Sequence, residues 1–460
     1  MPKHVHLIGV GGIGMSAVAK LLIQRGHHVS GSDSSQSPIL EDLKQMGVRV
    51  YQSHRESNVD QAELVVYSSA IHDQNPEMIR AKQRQITIKH RAELLAEMMD
   101  AKTNIAIAGT HGKTTTTSLV SHIFIHAKLN PTIVIGGQTL QTRLHAQSGQ
   151  QDYAIFEADE SDNSFVLFNP NVAVITNIDN DHLENHGDSF QQLTQSFNQF
   201  IERIKPQGLV IANIDCPHTE KLTQQTSKRH VTFALNNPHA DYIGSREESN
   251  YIRIQSNQHA PFVVPQTQPG QHNTYNTLAA VVTALEHGID PDTIGSALSS
   301  FQGVKRRFEI HTNTIGQPII LEDYGHHPVE VECTISAIKE AWPKRKIVMV
   351  FQPHRLSRTL KLCDEFAKTL SFCDEVYITD IYHANESVEK FPISSTDLIQ
   401  RMNDEHHHTH CQHISQESEL FCHLDQLSSP DSVIVFQGAG NIHHMCLRYC
   451  KHLAPLINQA

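Results

Sequence analysis

The sequence predicts an α/β protein of three domains with mostly parallel sheets, and three observations indicate this. The chain has 460 residues, whereas a domain commonly contains about 100–200 residues. Short apolar segments of strand length alternate with segments of helical period, which is typical of βαβ units. This alternation starts again near two positions. We therefore predict domains over residues 1–100, 101–304 and 305–460.

The first domain is expected to begin with a strand that leads directly into a helix. Its apolar segments predict strands over residues 4–8, 29–32, 64–67 and 86–88. Helical spacing predicts a helix over residues 13–24, and Pro76 is placed near the start of another helix. Together these elements predict a mostly parallel sheet.

The second and third domains repeat this pattern. In the second, strands are expected over residues 105–108, 133–135, 153–157, 172–176 and 209–212, helices over 114–127, 190–204 and 276–286, and antiparallel hairpins over 240–265. In the third, strands are expected over residues 319–321, 347–351, 376–379 and 433–436. A glycine turn at residues 438–440 follows the last of these strands.

Composition excludes several classes of protein. The chain has 37 basic and 49 acidic residues and a net charge of −12, so we expect no nucleic-acid partner. No apolar segment approaches the ~20 residues that span a bilayer, and the first residues lack the features of a signal peptide. The eight cysteines form no C-x2-C pair. We therefore expect a cytoplasmic protein without a membrane partner.

The first motif is the glycine turn Gly9-Val10-Gly11-Gly12-Ile13-Gly14, which follows a predicted strand and opens a predicted helix. It fits G-x-G-x-x-G, in which glycines allow the backbone to approach a diphosphate at a helix N-terminus. Asp33 follows at the end of the second strand and could accept a hydrogen bond from a ribose or a base. A purely structural tight turn is the alternative.

The second motif is Gly109-Thr110-His111-Gly112-Lys113-Thr114, also between a strand and a helix. It is shorter than a Walker A motif, which would require a glycine where Ile107 stands. It still supplies backbone donors, a lysine charge and a hydroxyl for Mg²⁺, which phosphoryl chemistry needs. Three further threonines follow in the predicted helix, although threonine is a poor helix former.

Two polar segments follow later strands of the second domain. Glu157 begins the acidic segment 157–162, and a carboxylate at the end of a strand beside a phosphate loop is well placed to bind Mg²⁺. The segment from Thr176 to His182 follows another strand. From the residues alone, His182 could bind a metal or merely satisfy local hydrogen bonds.

Together the motifs of the whole chain resemble those of the Mur ligases of peptidoglycan synthesis. The segments that carry the resemblance occur in this order, with the Thr176–His182 segment after the fourth: GVGGIGMS, GSD, GTHGKTTTT, EADESD, GQHNTYNTLAA, KRRFE, EDYGHHP, FQPHRLSRT and QGAGNI. The resemblance implies a Rossmann-like N-terminal domain, a central P-loop ATPase-like domain and a C-terminal Rossmann-like domain.

The resemblance also implies the ligands of the first two domains. The N-terminal domain would bind a UDP-sugar rather than NAD, with Gly11, Gly14, Asp33 and Ser69 near the uridine diphosphate. The central domain would bind ATP and Mg²⁺. The residues implied for ATP there are Gly109, Thr110, Gly112, Lys113, Thr114, Thr115, Asn273 and Asn276, and those for the metal are Thr114, Glu157 and His182.

Further residues are implied in the C-terminal domain. Arg307 matches an arginine that reaches the ATP phosphates, with Arg306 as the neighbouring alternative, and Asp323 matches a ribose-binding aspartate. His326, Arg355 and Arg358 match positions around the incoming amino acid. Two arginines suit its carboxylate because charge-assisted hydrogen bonds are strong, although a surface basic pair is the alternative. The resemblance implies that this domain closes on the ATP-binding domain.

The implied reaction joins L-alanine to the lactyl carboxylate of UDP-N-acetylmuramate through an acyl phosphate. Lys113, Glu157, His182 and Arg307 are the implied catalytic residues, and we expect a monomer or a weak homodimer. One alternative is a ligase that recycles a tripeptide onto the same sugar nucleotide. The others are an NAD-dependent oxidoreductase, argued from the first glycine motif alone, and a non-catalytic nucleotide-binding module.

Some segments depart from the family pattern or suggest no function. Asp179, Asn180 and Glu184 replace the residues usual around the metal histidine. No lysine follows before Lys205, so we predict no carbamylated lysine. We expect no native metal site in the histidine-rich segment 406–413. Cys446 and Cys450, one helical turn apart, are expected to be packing thiols.

Overall fold

The computed structural model describes residues 3–181, 183–248, 250–314, 316–406 and 410–457. In these ranges the strands form three sheets, one for each predicted domain, which confirms the predicted α/β class. The first two sheets belong to one compact unit, which consists of the chain up to Thr267 together with Tyr275–Gln302. The third sheet belongs to a second unit, made of Gln268–Thr274 and the chain from Gly303 onward.

The N-terminal domain is built on a parallel sheet with the strand order β3-β2-β1-β4-β5. This is the order of the first five strands of a doubly wound dinucleotide-binding fold. Its strands are β1 (His4–Ile8), β2 (His28–Ser32), β3 (Arg49–Tyr51), β4 (Leu64–Tyr67) and β5 (Thr87–His90). Its helices are α1 (Ile13–Gln24), α2 (Pro38–Gln45), α3 (Pro76–Gln83) and α4 (Arg91–Asp100).

Local sequence explains these elements. β1 is buried along almost its whole length, as expected for a strand covered by helices on both faces. Pro38 and Pro76 occupy the first turns of α2 and α3, where the missing N–H costs no hydrogen bond. Asn75 caps α3 by accepting a hydrogen bond from the Glu77 backbone N–H.

The central domain has a longer sheet with the order β15-β14-β13-β12-β11-β10-β6-β9-β7-β8. Its strands are β6 (Thr103–Ala108), β7 (Thr132–Val134), β8 (Ala146–Gln147), β9 (Tyr153–Glu157), β10 (Val172–Ile175), β11 (Leu209–Asn213), β12 (Arg229–Ala234), β13 (Tyr242–Glu247), β14 (Tyr251–Ser256) and β15 (Phe262–Pro265). Its helices are α5 (Lys113–His126), α6 (Phe190–Glu202), α7 (Pro217–Gln225), α8 (Gln271–Leu285) and α9 (Pro291–Ser300). β6 pairs in parallel with β10 and β9, so the strand that precedes the phosphate turn is central.

The C-terminal domain has the strand order β16-β17-β21-β18-β19-β20, in which only the β16–β17 pairing is antiparallel among the described residues. Its strands are β16 (Glu309–Thr312), β17 (Ile319–Asp323), β18 (Lys346–Phe351), β19 (Glu375–Ile378), β20 (Cys411–His413) and β21 (Ser432–Gln437). Its helices are α10 (Pro328–Ala341), α11 (Leu356–Lys361), α12 (Cys363–Leu370), α13 (Ser395–His406), α14 (Glu417–Leu427) and α15 (Ile442–Ile457). None of the described helices is long and apolar enough to cross a membrane.

Candidate active site

The glycine turn of the N-terminal domain lies at the carboxyl end of β1 and is joined to β2 by a side chain. Gly9 has a φ of +81°, which favours glycine, and Gly12 is the N-cap residue of α1. The Gly11 backbone N–H donates to the Asp33 carboxylate over 2.8 Å. A Cβ at Gly11 would lie 2.7 Å from that carboxylate, so the predicted pair Gly11 and Asp33 requires glycine here.

Residues that the sequence did not single out complete this part of the site. A Cβ at Gly14 would collide with the Arg91 guanidinium. Arg91 also forms an ion pair with Asp162 over 3.4 Å, and the exposed Ser69 hydroxyl donates to the same carboxylate over 3.0 Å. The acidic segment of the central domain therefore reaches the predicted UDP-sugar residues. The position of Arg91 at the carboxyl edge of the sheet, directly after β5, was the signal that could have identified it.

The central turn from Gly109 to Lys113 is held in shape by its neighbours. Gly109 and Gly112 have φ values of +134° and +83°, and Gly112 is the N-cap residue of α5. The His111 backbone N–H donates to the Asn177 side-chain oxygen over 2.9 Å, and the Thr176 hydroxyl donates to the His111 carbonyl over 2.7 Å. The first residues of the predicted metal segment thus support the turn.

Lys113 lies within this turn, and its ammonium group has three acceptors, two carbonyls and one carboxylate. Its Nζ donates to the Gly109 and Thr110 carbonyls over 2.8 and 3.2 Å, and lies 2.8 Å from the Glu160 carboxylate. Burial opposes the ammonium form, but Glu160 and neighbouring carboxylates outweigh it and raise the pKa of Lys113. Burial raises the pKa of Glu160 to about 7. Lys113 therefore carries its charge at neutral pH.

Oxygen ligands suited to Mg²⁺ meet beside the lysine. The Thr114 hydroxyl donates to the Glu157 carboxylate over 3.1 Å, and the Gly136 backbone N–H donates to the other Glu157 oxygen over 2.5 Å. A hydroxyl and a carboxylate are hard donors of the kind that Mg²⁺ prefers, so this pair fits the predicted metal. The third predicted ligand, His182, lies outside the described residues.

The remaining predicted ATP residues of α5 and α8 are partly brought together. Thr115 is buried in the first turn of α5. The Thr116 hydroxyl donates to the Asn276 side-chain oxygen over 3.2 Å, and a Cβ at Gly112 would collide with that oxygen. Asn276 therefore lies against the turn. The Asn273 amide instead donates to the Pro269 carbonyl over 2.8 Å, in the short segment that belongs to the second unit.

In the C-terminal domain the structure separates the two neighbouring arginines. Arg306 Nε donates to the buried Glu322 carboxylate over 2.9 Å, and its Nη2 donates to the Gly438 carbonyl over 2.6 Å. Both guanidinium groups lie 4.8 Å from the centroid of the Tyr324 ring, so the hydrogen bonds of Arg306 are what distinguish the two residues. This arrangement gives Arg306 a structural role and favours Arg307 as the phosphate-binding candidate.

Asp323, the predicted ribose ligand, is held at the end of β17 by backbone donors. Its two oxygens accept hydrogen bonds from the Phe308 N–H over 2.8 Å and from the Gly325 N–H over 2.7 Å. Burial raises the pKa of Asp323 to about 6, although the nearby Arg307 charge opposes this shift.

The residues predicted to surround the amino acid form one cluster in the same domain. The His326 ring lies 5.6 Å from the His354 ring, which stacks on Tyr382 at 5.4 Å. Arg355 has a φ of +68° and is the N-cap residue of α11, and Arg358 is buried one turn later. Burial, together with nearby cationic groups, lowers the pKa of His354 to about 3. The cluster therefore presents two arginines beside aromatic rings, of which His354 is neutral at pH 7, and two arginines suit a carboxylate.

These features define an α/β protein with two glycine turns, each at the carboxyl end of a parallel strand and at the start of a helix. Comparison with known proteins identifies the family. Three domain models match in order: "Mur ligase family, catalytic domain" over residues 4–103, "Mur ligase middle domain" over 107–284 and "Mur ligase, glutamate ligase domain" over 306–440. The chain belongs to the Mur ligase family.

Individual relatives agree with this assignment. The chain is 36% identical over 454 residues to a UDP-N-acetylmuramate–L-alanine ligase of Aquifex aeolicus, with 98% of each chain covered. It is 38% identical over 452 residues to the Coxiella burnetii enzyme of the same name, with 96% of each covered. A crystal structure of the Thermotoga maritima UDP-N-acetylmuramate-alanine ligase MurC matches with a TM-score of 0.82 and 28% identity, covering 99% of this chain and all of that one. A murein peptide ligase of Psychrobacter arcticus, 22% identical, shares the fold with a TM-score of 0.73 over 97% and 98% of the two chains.

Proposed function

We propose that this chain is an ATP-dependent ligase that joins L-alanine to the lactyl carboxylate of UDP-N-acetylmuramate, in the synthesis of peptidoglycan precursors. The observation that carries the proposal is the group formed by Lys113, Thr114 and Glu157 at the turn after β6. The alanine ligases of Aquifex and Coxiella, which match over almost their full length, supply the two substrates. We also propose a cytoplasmic location, a monomer or weak homodimer, and domain limits near residues 100 and 304.

Activation of the carboxylate is the first step of the proposed reaction. A lactyl carboxylate oxygen attacks the γ-phosphorus of ATP, the bond to the β-phosphate oxygen breaks, and an acyl phosphate and ADP result. The turn carbonyls hold the Lys113 ammonium beside the turn, and the proposal gives its charge the task of neutralising negative charge that develops on the transferred group. The proposal gives Arg307 the same task from the C-terminal domain.

Capture of the acyl group is the second step. The neutral amine of L-alanine attacks the acyl carbon, phosphate leaves with the electron pair of the C–O bond, and the amine loses a proton to form the amide. Arg355 and Arg358 are proposed to bind the alanine carboxylate, and His326 is proposed to lie beside the amino acid.

Magnesium is proposed to bind at Thr114, Glu157 and His182. Such an ion neutralises charge on the phosphate oxygens. The described pair, a hydroxyl 3.1 Å from a carboxylate, supports this proposal through its chemistry. Gly11, Gly14, Asp33 and Ser69 are proposed to hold the uridine diphosphate, and Gly109, Thr110, Gly112, Thr115, Asn273, Asn276 and Asp323 the ATP.

One assay tests the proposal against the tripeptide-recycling alternative. The protein is mixed with UDP-N-acetylmuramate, ATP and Mg²⁺, and either L-alanine or the tripeptide is added while released phosphate is measured. We expect phosphate release that depends on L-alanine and is absent with the tripeptide. Release with the tripeptide alone would favour the recycling ligase, and release with neither would overturn both proposals.

A further inference from the structure

A cluster of metal-binding side chains lies in the C-terminal domain, outside the site described above. It contains His311 on β16, Glu322 on β17 and Cys446 on α15, whose ligand atoms lie within 4.8 Å of one another. His311 Nε2 lies 3.1 Å from Glu322 Oε2. Glu322 and Cys446 are fully buried, and the His311 side chain is 13% exposed.

Helix α15 adds two further potential ligands on the same face. His443, Cys446 and Cys450 follow one another at spacings of three and four residues, which places them on one side of a helix. His443 Nδ1 lies 2.7 Å from a Glu322 oxygen. The prediction that these cysteines are packing thiols did not take the polar side chains of this cluster into account.

The second layer of this cluster resembles that of a metal site. Metal-binding histidines commonly direct their other ring nitrogen to a carboxylate, and ligating carboxylates are themselves hydrogen-bonded. His311 Nδ1 lies 4.0 Å from a Glu309 carboxylate oxygen. Arg306 donates to the Glu322 oxygen Oε1, which leaves Oε2 directed at His311.

We propose that His311, Glu322 and Cys446 form a zinc-binding site, with Cys450 or His443 as the fourth ligand. One sulfur, one imidazole nitrogen and one carboxylate oxygen suit Zn²⁺, whereas Mg²⁺ requires oxygen ligands. In tetrahedral zinc sites the ligand atoms lie about 3.5 Å apart. The ligand atoms of His311 and Glu322, 3.1 Å apart, would therefore separate slightly, and any pair near the 4.8 Å limit of the cluster would close by about 1 Å. On binding, each ligating thiol loses its proton to solvent, and the histidine hydrogen bonds to Glu322 Oε2 are replaced by metal–ligand bonds.

This site is separate from the proposed ATP site. Glu322 and Asp323 are consecutive in β17, and consecutive residues of a strand point to opposite faces of the sheet. Zinc would join β16 and β17 to α15 and thereby stabilise the C-terminal domain. Binding of zinc can therefore be measured without ligase activity, and the inference is independent of the proposed function.

Cobalt is the probe of choice because Co²⁺ takes tetrahedral zinc sites and absorbs light when a thiolate binds it. The full chain, freed of metal with a chelator, is titrated with Co²⁺ alone while the thiolate-to-cobalt absorption is recorded. We expect saturation at one thiolate-bound Co²⁺ per chain, bleaching by one equivalent of Zn²⁺, and a higher Tm with Zn²⁺. His311→Gln should weaken binding at least about tenfold, and Cys446→Ser should remove the thiolate band or its largest component.

Two matched controls separate this cluster from other thiols and histidines. Cys411 lies within the histidine-rich segment 406–413 and Cys422 is exposed, so Cys411→Ser and Cys422→Ser should keep the wild-type titration. Absence of a thiolate band, or a band lost in Cys411→Ser but kept in Cys446→Ser, would overturn the proposal. If Cys446→Ser does not fold, His311→Gln decides the question, because His311 is partly exposed and its unchanged affinity would also overturn the proposal.

Discussion

At the scale of single residues, the site depends on buried charges whose partners the sequence could not show. Lys113 was predicted from its motif, but its ion pair with Glu160 was not, because the two are 47 residues apart. Arg91 and its ion pair with Asp162 were also missed, although Asp162 belongs to the predicted acidic segment, since a surface charge and a charge in the site look alike in a sequence. From the sequence alone, one could predict only which residue types lie beside each glycine turn.

Lys113→Ala should reduce ligase turnover by at least about 10²–10³-fold, the loss usual when one preorganised charge donor is removed. The affinity for UDP-N-acetylmuramate, measured by calorimetry without ATP, should stay unchanged, because the hydrogen bonds of Lys113 Nζ to described residues run to the central turn and to Glu160. Phosphate release gives the turnover. Equal losses of turnover and sugar-nucleotide affinity would contradict the assignment of Lys113 to ATP.

The neighbouring arginines should respond differently to truncation. Arg306→Ala removes an ion-pair partner of the buried Glu322 and should lower the free energy of unfolding by about 3 kcal/mol. Arg307→Ala should lower stability less than Arg306→Ala, because the Arg307 guanidinium lies over the Tyr324 ring and acts on the buried Asp323 through its charge, yet it should reduce turnover. Thermal unfolding and phosphate release, measured on both variants, test this contrast. A stable Arg306→Ala variant would refute it.

Glu77 makes the stability of the N-terminal domain depend on acid. Burial would raise the pKa of Glu77, but hydrogen bonds and charge from His6, Ser32 and Asn58 lower it to about 2. Its stabilising effect, about 3 kcal/mol for this shift from 4.5, is present above pH 4.5 and is lost as the pH falls towards 2.

Glu77→Gln should therefore lower Tm clearly at pH 7, and the difference from wild type should narrow steadily below pH 4.5. Thermal unfolding followed by circular dichroism at several pH values measures this difference. Glu56→Gln is the matched control, because Glu56 is an exposed glutamate of the same domain and should change Tm little at any pH. A Glu77→Gln difference that stays constant down to pH 3 would disprove the charge network.

At the scale of elements, prediction succeeded where apolar periodicity was strong. The strand over residues 4–8, the helix over 13–24 and the strand over 153–157 have the predicted limits, and the antiparallel hairpins over 240–265 are confirmed. Short edge strands such as β3 and β20 were missed, because three half-exposed residues carry no period. Helix α8 begins at Gln271 rather than at residue 276, because its first turn is polar.

The central turn gives a test at this scale. Gly112→Ala places a Cβ at a φ of +83° and against the Asn276 side-chain oxygen, so kcat/KM for ATP should fall at least about tenfold. Gly26→Ala is a matched control, because Gly26 has a φ of +82° and no atom lies within 4 Å of its added Cβ. Both variants should lose about 1 kcal/mol of stability from backbone strain. Comparable kinetic losses in both would show that the contact with Asn276 is unimportant.

At the scale of the whole molecule, the large number of histidines makes the net charge depend on pH near neutrality. The net charge is −12 with all 33 histidines neutral, so protonation of twelve of them brings it to zero. For an ordinary histidine pKa of about 6.5, this happens between about pH 6 and 7. Electrophoretic mobility should therefore change sign in that interval, and solubility should be lowest there. Mobility that stays anodic at pH 5.5 would contradict this expectation.

The overall architecture was also predictable, but for a different reason. Composition and periodicity indicated α/β domains, whereas the order of motifs along the chain indicated the family that the comparisons establish. Periodicity could not yield the strand order of the central sheet, because β6 lies between β9 and β10, which follow it in the chain by some fifty residues or more. Such distant pairing depends on packing of the complete chain.

The acidic segment between Glu157 and Asp162 contacts the two proposed ligand sites at its two ends. Glu157 accepts a hydrogen bond from Thr114 at the proposed triphosphate turn, and Asp162 contacts Ser69 and Arg91 at the proposed sugar-nucleotide site. Only five peptide units separate the two carboxylates along the chain, so we expect binding at one site to affect the other. Thermodynamic linkage then requires reciprocity: whatever factor ATP imposes on the dissociation constant of the sugar nucleotide, the sugar nucleotide must impose on that of ATP.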